Sequence, residues 1–161
     1  MSKAPFLRFS FLFAAATFLT VSTAKAIGPL QFYSVTPCRL ADTREAVGLT
    51  GGPVLQSNVV RNFPVYGANA RQCGISTSAK AVALNVTVVT PSNFGYLTAF
   101  PYNTVLPVVS TINFAPGEPA LANGAIVPLT ADASFQLAIY AFLSGGSGSV
   151  HVILDITGYF E

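Results

Sequence analysis

Between residues 80 and 90 the chain alternates strictly. Val82, Leu84, Val86 and Val88 fall on one side, and Ala81, Ala83, Asn85, Thr87 and Val89 on the other. A helix would scatter the four branched residues around its circumference. A strand lines them up on one face, because its side chains alternate with a period of two. The segment reads as a strand with one core face. Residues 134–143 repeat the pattern, with Phe135, Leu137, Ile139 and Ala141 set against Gln136, Ala138, Tyr140 and Phe142. In residues 149–160, Val150, Val152, Leu154 and Ile156 share a face.

Shorter β-rich runs fill the rest. Residues 31–36 stop at Pro37, and 39–44 follow as a second short strand or a bend. Residues 58–66 contain Pro64, which marks an edge or a bulge. Further strands are expected at 96–100, 108–114 and 124–129. Residues 45–57, with Gly48, Gly51, Gly52 and Pro53, read as a loop, as do residues 67–78. The glycines of 145–148 suggest a hairpin connection. Beyond residue 26 no window has the spacing of an amphipathic helix, and no internal repeat is visible. About eight strands with turn signals between them predict an all-β fold, an antiparallel sandwich with a jelly roll as one strand order. An outer-membrane β-barrel is the lower alternative. Proline interruptions, and strands shorter than the roughly 9–11 residues a span requires, argue against it.

The first 26 residues set the compartment. Lys3 and Arg8 precede the uncharged run 9–21, and Ser22-Thr23-Ala24-Lys25-Ala26 ends in a small-x-small pattern. This is the form of a secretory signal peptide, with Ile27 as the expected mature start and 27–161 as a single domain. The run is shorter than the roughly 20 residues that span a bilayer, so no stable membrane anchor is expected after cleavage. The expected location is secreted, extracellular or at the cell surface, with the periplasm as a further option. Removing the leader also removes Lys3, Arg8 and Lys25. Five basic residues then face six acidic ones, a net of −1 where the whole chain carries +2. No basic patch remains for a phosphate backbone, so nucleic acid is not an expected partner. Charged residues make up 9% of the chain, against about 25% in a typical soluble domain. A surface with so little charge does little to keep copies apart, which points to a homo-oligomer or polymer, or to attachment to a larger assembly. An ordinary hydroxyl-rich secreted sandwich is the plain alternative.

In an oxidising compartment Cys38 and Cys73 read as one disulfide. A redox or metal site has little support, with no C-x-x-C and His151 as the only histidine. The densest polar motif is Arg39-Leu40-Ala41-Asp42-Thr43-Arg44. Asp42 between two guanidinium groups is either an acid–base group or, more simply, part of an ion-pair cluster that pins an extended segment. Asp155 sits in an otherwise apolar strand and needs a partner, since burying an unpaired charge is costly. Arg39 or Arg44 is the expected one. His151 lies about 13 Å along the strand from Asp155, too far for a dyad, and is expected to face solvent. Asn85-Val86-Thr87 fits a glycosylation pattern but lies mid-strand. Tyr96, Phe100, Tyr102, Tyr140 and Tyr159 could form a sugar-stacking platform, although aromatics in a sandwich more often serve the core. No catalytic, cofactor-binding or metal-binding motif stands out.

Several stretches together resemble a family of bacterial secreted β-rich domains. These are Thr36 to Arg44, Cys73-Gly74-Ile75, Ala79 to Thr87, Gly95-Tyr96-Leu97, Ser110 to Phe114 with Gly117, and Val152 to Phe160. The R-L-x-D-T-R opening and D-x-x-G-Y-F ending carry the likeness, which spans nearly all of residues 27–161. It implies bacterial origin, export and a non-enzymatic role, and it supplies no ligand. The expected function is a secreted structural or adhesive surface protein that self-associates. A carbohydrate-binding module, with a cell-surface glycan as partner, is the alternative.

Overall fold

Nine strands, all paired antiparallel, make up the regular structure of residues 28–161, which the computed structural model describes. The expected leader 1–26 and its cleavage point lie outside the described residues. The strands are β1 (Phe32–Asp42), β2 (Leu55–Gln56), β3 (Val59–Phe63), β4 (Ala81–Val89), β5 (Gly95–Pro101), β6 (Ile112–Phe114), β7 (Leu121–Pro128), β8 (Leu137–Leu143) and β9 (Ser149–Phe160). No helix among the described residues is long and apolar enough to cross a membrane.

One sheet runs β1-β9-β4-β7, with β2 on the same edge of β9 as β1, and the other runs β3-β8-β5-β6. If the two-residue β2 is set aside, the first strand pairs with the last, β3 with β8, β4 with β7, and β5 with β6. That is one long antiparallel ribbon folded at β5–β6. The further ladders β4–β9 and β5–β8 roll it into two sheets. This nesting is the jelly-roll order expected as one option. The strand expected over 39–44 is no separate strand. β1 runs through Pro37, which is tolerated because the register slips there, from Ser34↔Gly158 to Cys38↔Ile156. The connection 144–148 is not a hairpin, since β8 and β9 belong to different sheets. The positive φ of Gly145, Gly146 and Gly148 lets the chain turn from one sheet to the other. The two sheets do not close into a barrel, so the barrel alternative is not met.

The core lies between the sheets. Val82, Val86, Val88, Val150, Val152, Leu154 and Ile156 are 0% exposed, facing Leu97, Leu137, Ile139, Ala141 and Leu143, also 0%. Burying each of these Val, Leu and Ile side chains stabilises by roughly 1.5–3 kcal/mol. The alternation fails where β9 has one residue too many. Ala83 pairs with Gly158 and Leu84 with Ile156, leaving Thr157 unpaired. This bulge switches the parity, so Tyr159 rather than Gly158 packs against the core. Gly158 is required there, because a Cβ would stand 2.3 Å from the Phe32 ring.

The Cys38–Cys73 disulfide joins β1 to the loop before β4, with a Cα–Cα distance of 5.6 Å across a sequence separation of 35. It is compatible with an extracellular or periplasmic location. On the chain-entropy model a loop of this length contributes about 4 kcal/mol. Replacing both cysteines by alanine is expected to lower the denaturant-unfolding free energy by roughly that amount. An unchanged unfolding midpoint would contradict the role of the bridge.

Candidate functional site

The polar motif of β1 is assembled by a second irregularity. Arg39 pairs with Asp155 and Ala41 with Leu154, so Leu40 is an extra residue in β1. Residues 39 and 42 would point to opposite faces of a regular strand. The extra residue puts both on the outer face of the first sheet, opposite Asp155 and Ile153. There the charges chain together. Arg39 donates from Nε to Asp155 Oδ1 at 2.5 Å and from Nη1 to Asp42 Oδ2 at 2.8 Å. Arg44 grips Asp42 with its fork, Nε to Oδ1 at 2.9 Å and Nη2 to Oδ2 at 2.7 Å, and its backbone N–H adds a bond to Oδ1 at 3.1 Å. The Asp42 side chain is 4% exposed. Hydrogen bonds from Arg44 dominate its titration and hold its pKa at about 2, against the desolvation that acts the other way. Both carboxylate oxygens are thus engaged. The group is a clamp between strand and loop, and it is badly placed to exchange protons with a substrate.

Buried Thr43 continues the clamp. Its hydroxyl accepts the Val152 N–H at 2.9 Å and meets His151 Nδ1 at 3.0 Å. His151 is therefore half-buried and bonded to Thr43, the residue after β1, not the solvent-facing residue that strand parity suggests.

Arg61 was not among the expected site residues. In β3 it shares the inward parity of Val59 and Phe63, opposite Ile139. Its guanidinium lies 5.1 Å from the Phe63 ring centroid and donates to the carbonyls of Gly48, Gly51, Gly52 and Pro53 at 2.5–2.8 Å. Arg71 adds an ion pair with Glu45 and a 3.3 Å bond to Thr50 Oγ1. Together they fix the loop 45–53, where a Cβ on Gly51 would meet the Ala46 carbonyl oxygen at 2.1 Å. The available signal was a lone arginine at core parity beside a glycine-rich loop. Gln136 was also misplaced by parity. It is 0% exposed, its Oε1 accepts the N–H groups of Val65 and Tyr66, and its Nε2 donates to the Asp132 carbonyl. It precedes the first ladder residue of β8, where strand alternation no longer applies.

The five candidate aromatics do not form one platform. Tyr96 and Tyr140 come together on the outer face of the second sheet, with centroids 6.2 Å apart, and Phe142 stacks on Tyr96 at 5.2 Å. Tyr140 donates its hydroxyl to Asn58 Oδ1 at 2.9 Å. Tyr102 packs on Phe135 elsewhere, Tyr159 stacks on Tyr33, and Phe100 is buried. Beside Tyr96 a groove of about 260 Å³ is walled by Pro107, Val108, Val109 and Ser110 and reaches Asn113. The strand expected over 108–114 is shortened to Ile112–Phe114, and Val108 and Val109 stand exposed in that wall.

The chain matches no protein-family model, no curated protein and no solved structure.

The depressed Asp42 pKa fixes a pH dependence. A carboxylate with a folded pKa of about 2 against an unfolded 3.8 contributes stability that is full above about pH 5 and is lost as pH falls from 4 towards 2. Asp42→Asn is expected to lower stability by about 2 kcal/mol at pH 7, discounted for the half-exposed arginines, with the difference from the parent closing at pH 2. Urea titrations at both pH values check this. Arg61→Ala is expected to release the 45–53 loop while leaving the sheets intact. Amide exchange there should speed by at least tenfold, with β9 unaffected; unchanged protection would remove Arg61 as the anchor.

Proposed function

We propose that this chain is a non-enzymatic structural or adhesive protein of an exported surface, and that it associates with copies of itself. The observation that carries the reading is the free edge of β7. Open edges are templates for pairing with another chain, and monomeric proteins blunt them with proline, charge, bulges or shortness. Three of the edges here are blunted. β1 carries Pro37, two register shifts and Arg39; β3 has five residues and runs into Pro64; β6 has three residues. β7 differs. It pairs with β4 without a shift from Ala81↔Pro128 to Val88↔Leu121, has no charged residue, and has proline only at its last position.

Beyond β4, the β7 backbone has no backbone partner among the described residues, and one side chain, Asn123, tethers it to the Thr111 carbonyl. Ile126, on its outer face, is 65% exposed. Antiparallel pairing of β7 with β7 of a second copy about a two-fold axis would continue the sheet across two molecules. The low overall charge offers little repulsion against it, and the motif resemblance points to the same non-enzymatic class. The saturated Asp42 clamp supports a structural part for the densest polar cluster.

Ala122→Lys with Ile126→Lys places two charges on exposed positions of this edge at little cost to folding. Size-exclusion chromatography with light scattering is expected to show oligomers for the parent and at least tenfold weaker association for the variant. A parent that stays monomeric at millimolar concentration overturns the reading.

A further inference from the structure

On the opposite sheet, we infer that the groove beside Tyr96 binds one unit of a neutral, uncharged sugar chain. The inference goes beyond self-association and does not depend on it, since β7 lies in the other sheet. Three strands build the site in one row. Phe142 of β8, Tyr96 of β5 and Asn113 of β6 stand directly opposite one another in register. Phe142 covers one side of the Tyr96 ring in a stack with an interplanar angle of 25°. Tyr96 also lines the groove, together with Asn113 and Ser110.

The wall is held firmly to this floor. The buried Thr98 hydroxyl donates to the Val109 carbonyl at 2.6 Å, and Thr111 both accepts the Ala99 N–H at 2.8 Å and donates its own N–H to the Leu97 carbonyl at 2.8 Å. The groove is thus organised before any ligand arrives, which lowers the ordering cost of binding.

The chemistry of the lining selects the ligand. The second sheet contains one charged residue, Arg61, and its guanidinium is committed to the 45–53 loop. Nothing on the face therefore neutralises a phosphate, a carboxylate or an anionic headgroup. What it offers is a flat ring, an aliphatic wall and uncharged hydrogen-bonding groups. The Asn113 amide donates to Ser110 Oγ at 3.0 Å, and neither its carbonyl oxygen nor the Tyr96 hydroxyl has a protein partner among the described residues. A pyranose presents the complement, with an apolar C–H face to lie on the ring and hydroxyls for the amide and the phenol. The volume suits a single ring, and Tyr140 lies 6.2 Å from the Tyr96 ring on the same face.

The test uses the secreted protein with a panel of neutral hexasaccharides (cello-, xylo-, malto- and chitohexaose) and with heparin and hyaluronan as charged probes. Isothermal titration is expected to show binding to at least one neutral member and to neither charged probe. Tyr96→Ala should weaken it at least tenfold, Tyr96→Phe less than that, and Tyr102→Ala, on the separate Phe135 stack, not at all. Asn113→Ala, at an exposed position, keeps the test open if Tyr96→Ala misfolds, and should weaken binding at least threefold. Binding to none of the neutral probes, binding to the charged probes alone, or affinity indifferent to both Tyr96 and Asn113 overturns the site. Groove resonances that shift with protein concentration instead of with sugar would also overturn it and assign the face to a second copy. A monomeric parent that binds sugar would refute assembly while leaving this site standing.

Discussion

Everything else in this fold hangs on the burial of β9. It lies inside the first sheet, with β1 and β2 on one side and β4 on the other, and it contributes four fully buried aliphatic side chains to the core. Its outer face supplies Asp155 to the arginine–aspartate chain and His151 to the Thr43 hydroxyl. Since β1 pairs with β9, more than a hundred residues further on, the ribbon cannot close until residues 149–160 are available. Contacts of such long sequence separation form late and slowly compared with local ones. The disulfide shortens part of that search by tying β1 to the approach to β4.

Much of the strand content was legible because period-2 alternation is a local property. The core faces of β4 and β9 follow directly from Val82 to Val88 and Val150 to Ile156. Their order in the sheets was not legible, because pairing first with last depends on residues more than a hundred positions apart. Parity reasoning broke at particular places. Leu40 and Thr157 are extra residues that no local pattern announces, and each reverses which neighbours share a face. Gln136 and His151 went astray for a related reason, since a side chain near a strand end answers to the loops and strands beside it. The aromatic residues illustrate a third limit. Tyr96 and Tyr140 meet because β5 and β8 pair, whereas Tyr102 lies one residue past the end of β5 and leaves the face altogether.

The charges are segregated in a way that composition alone concealed. The ion-pair chain lies on the first sheet and its loops, while the outer face of the second sheet presents rings, branched aliphatics and amides. The two faces therefore respond differently to solution conditions. Acid acts on the first through Asp42, and salt has little on the second to screen.

The Arg61 anchor has a consequence for how this protein can vary. Arg61 holds the loop 45–53 by its carbonyl oxygens, which every amino acid possesses. Val47 and Leu49, at 84% and 46% exposure, take no part in that grip. Their identities can drift, or be rewritten by an engineer, without loosening the loop, provided Gly51 keeps its close approach. The scaffold thus separates the shape of this loop from its message at Val47 and Leu49, which makes these two positions, between the Arg71 contacts of Glu45 and Thr50, a natural place to write new recognition side chains onto an otherwise fixed frame.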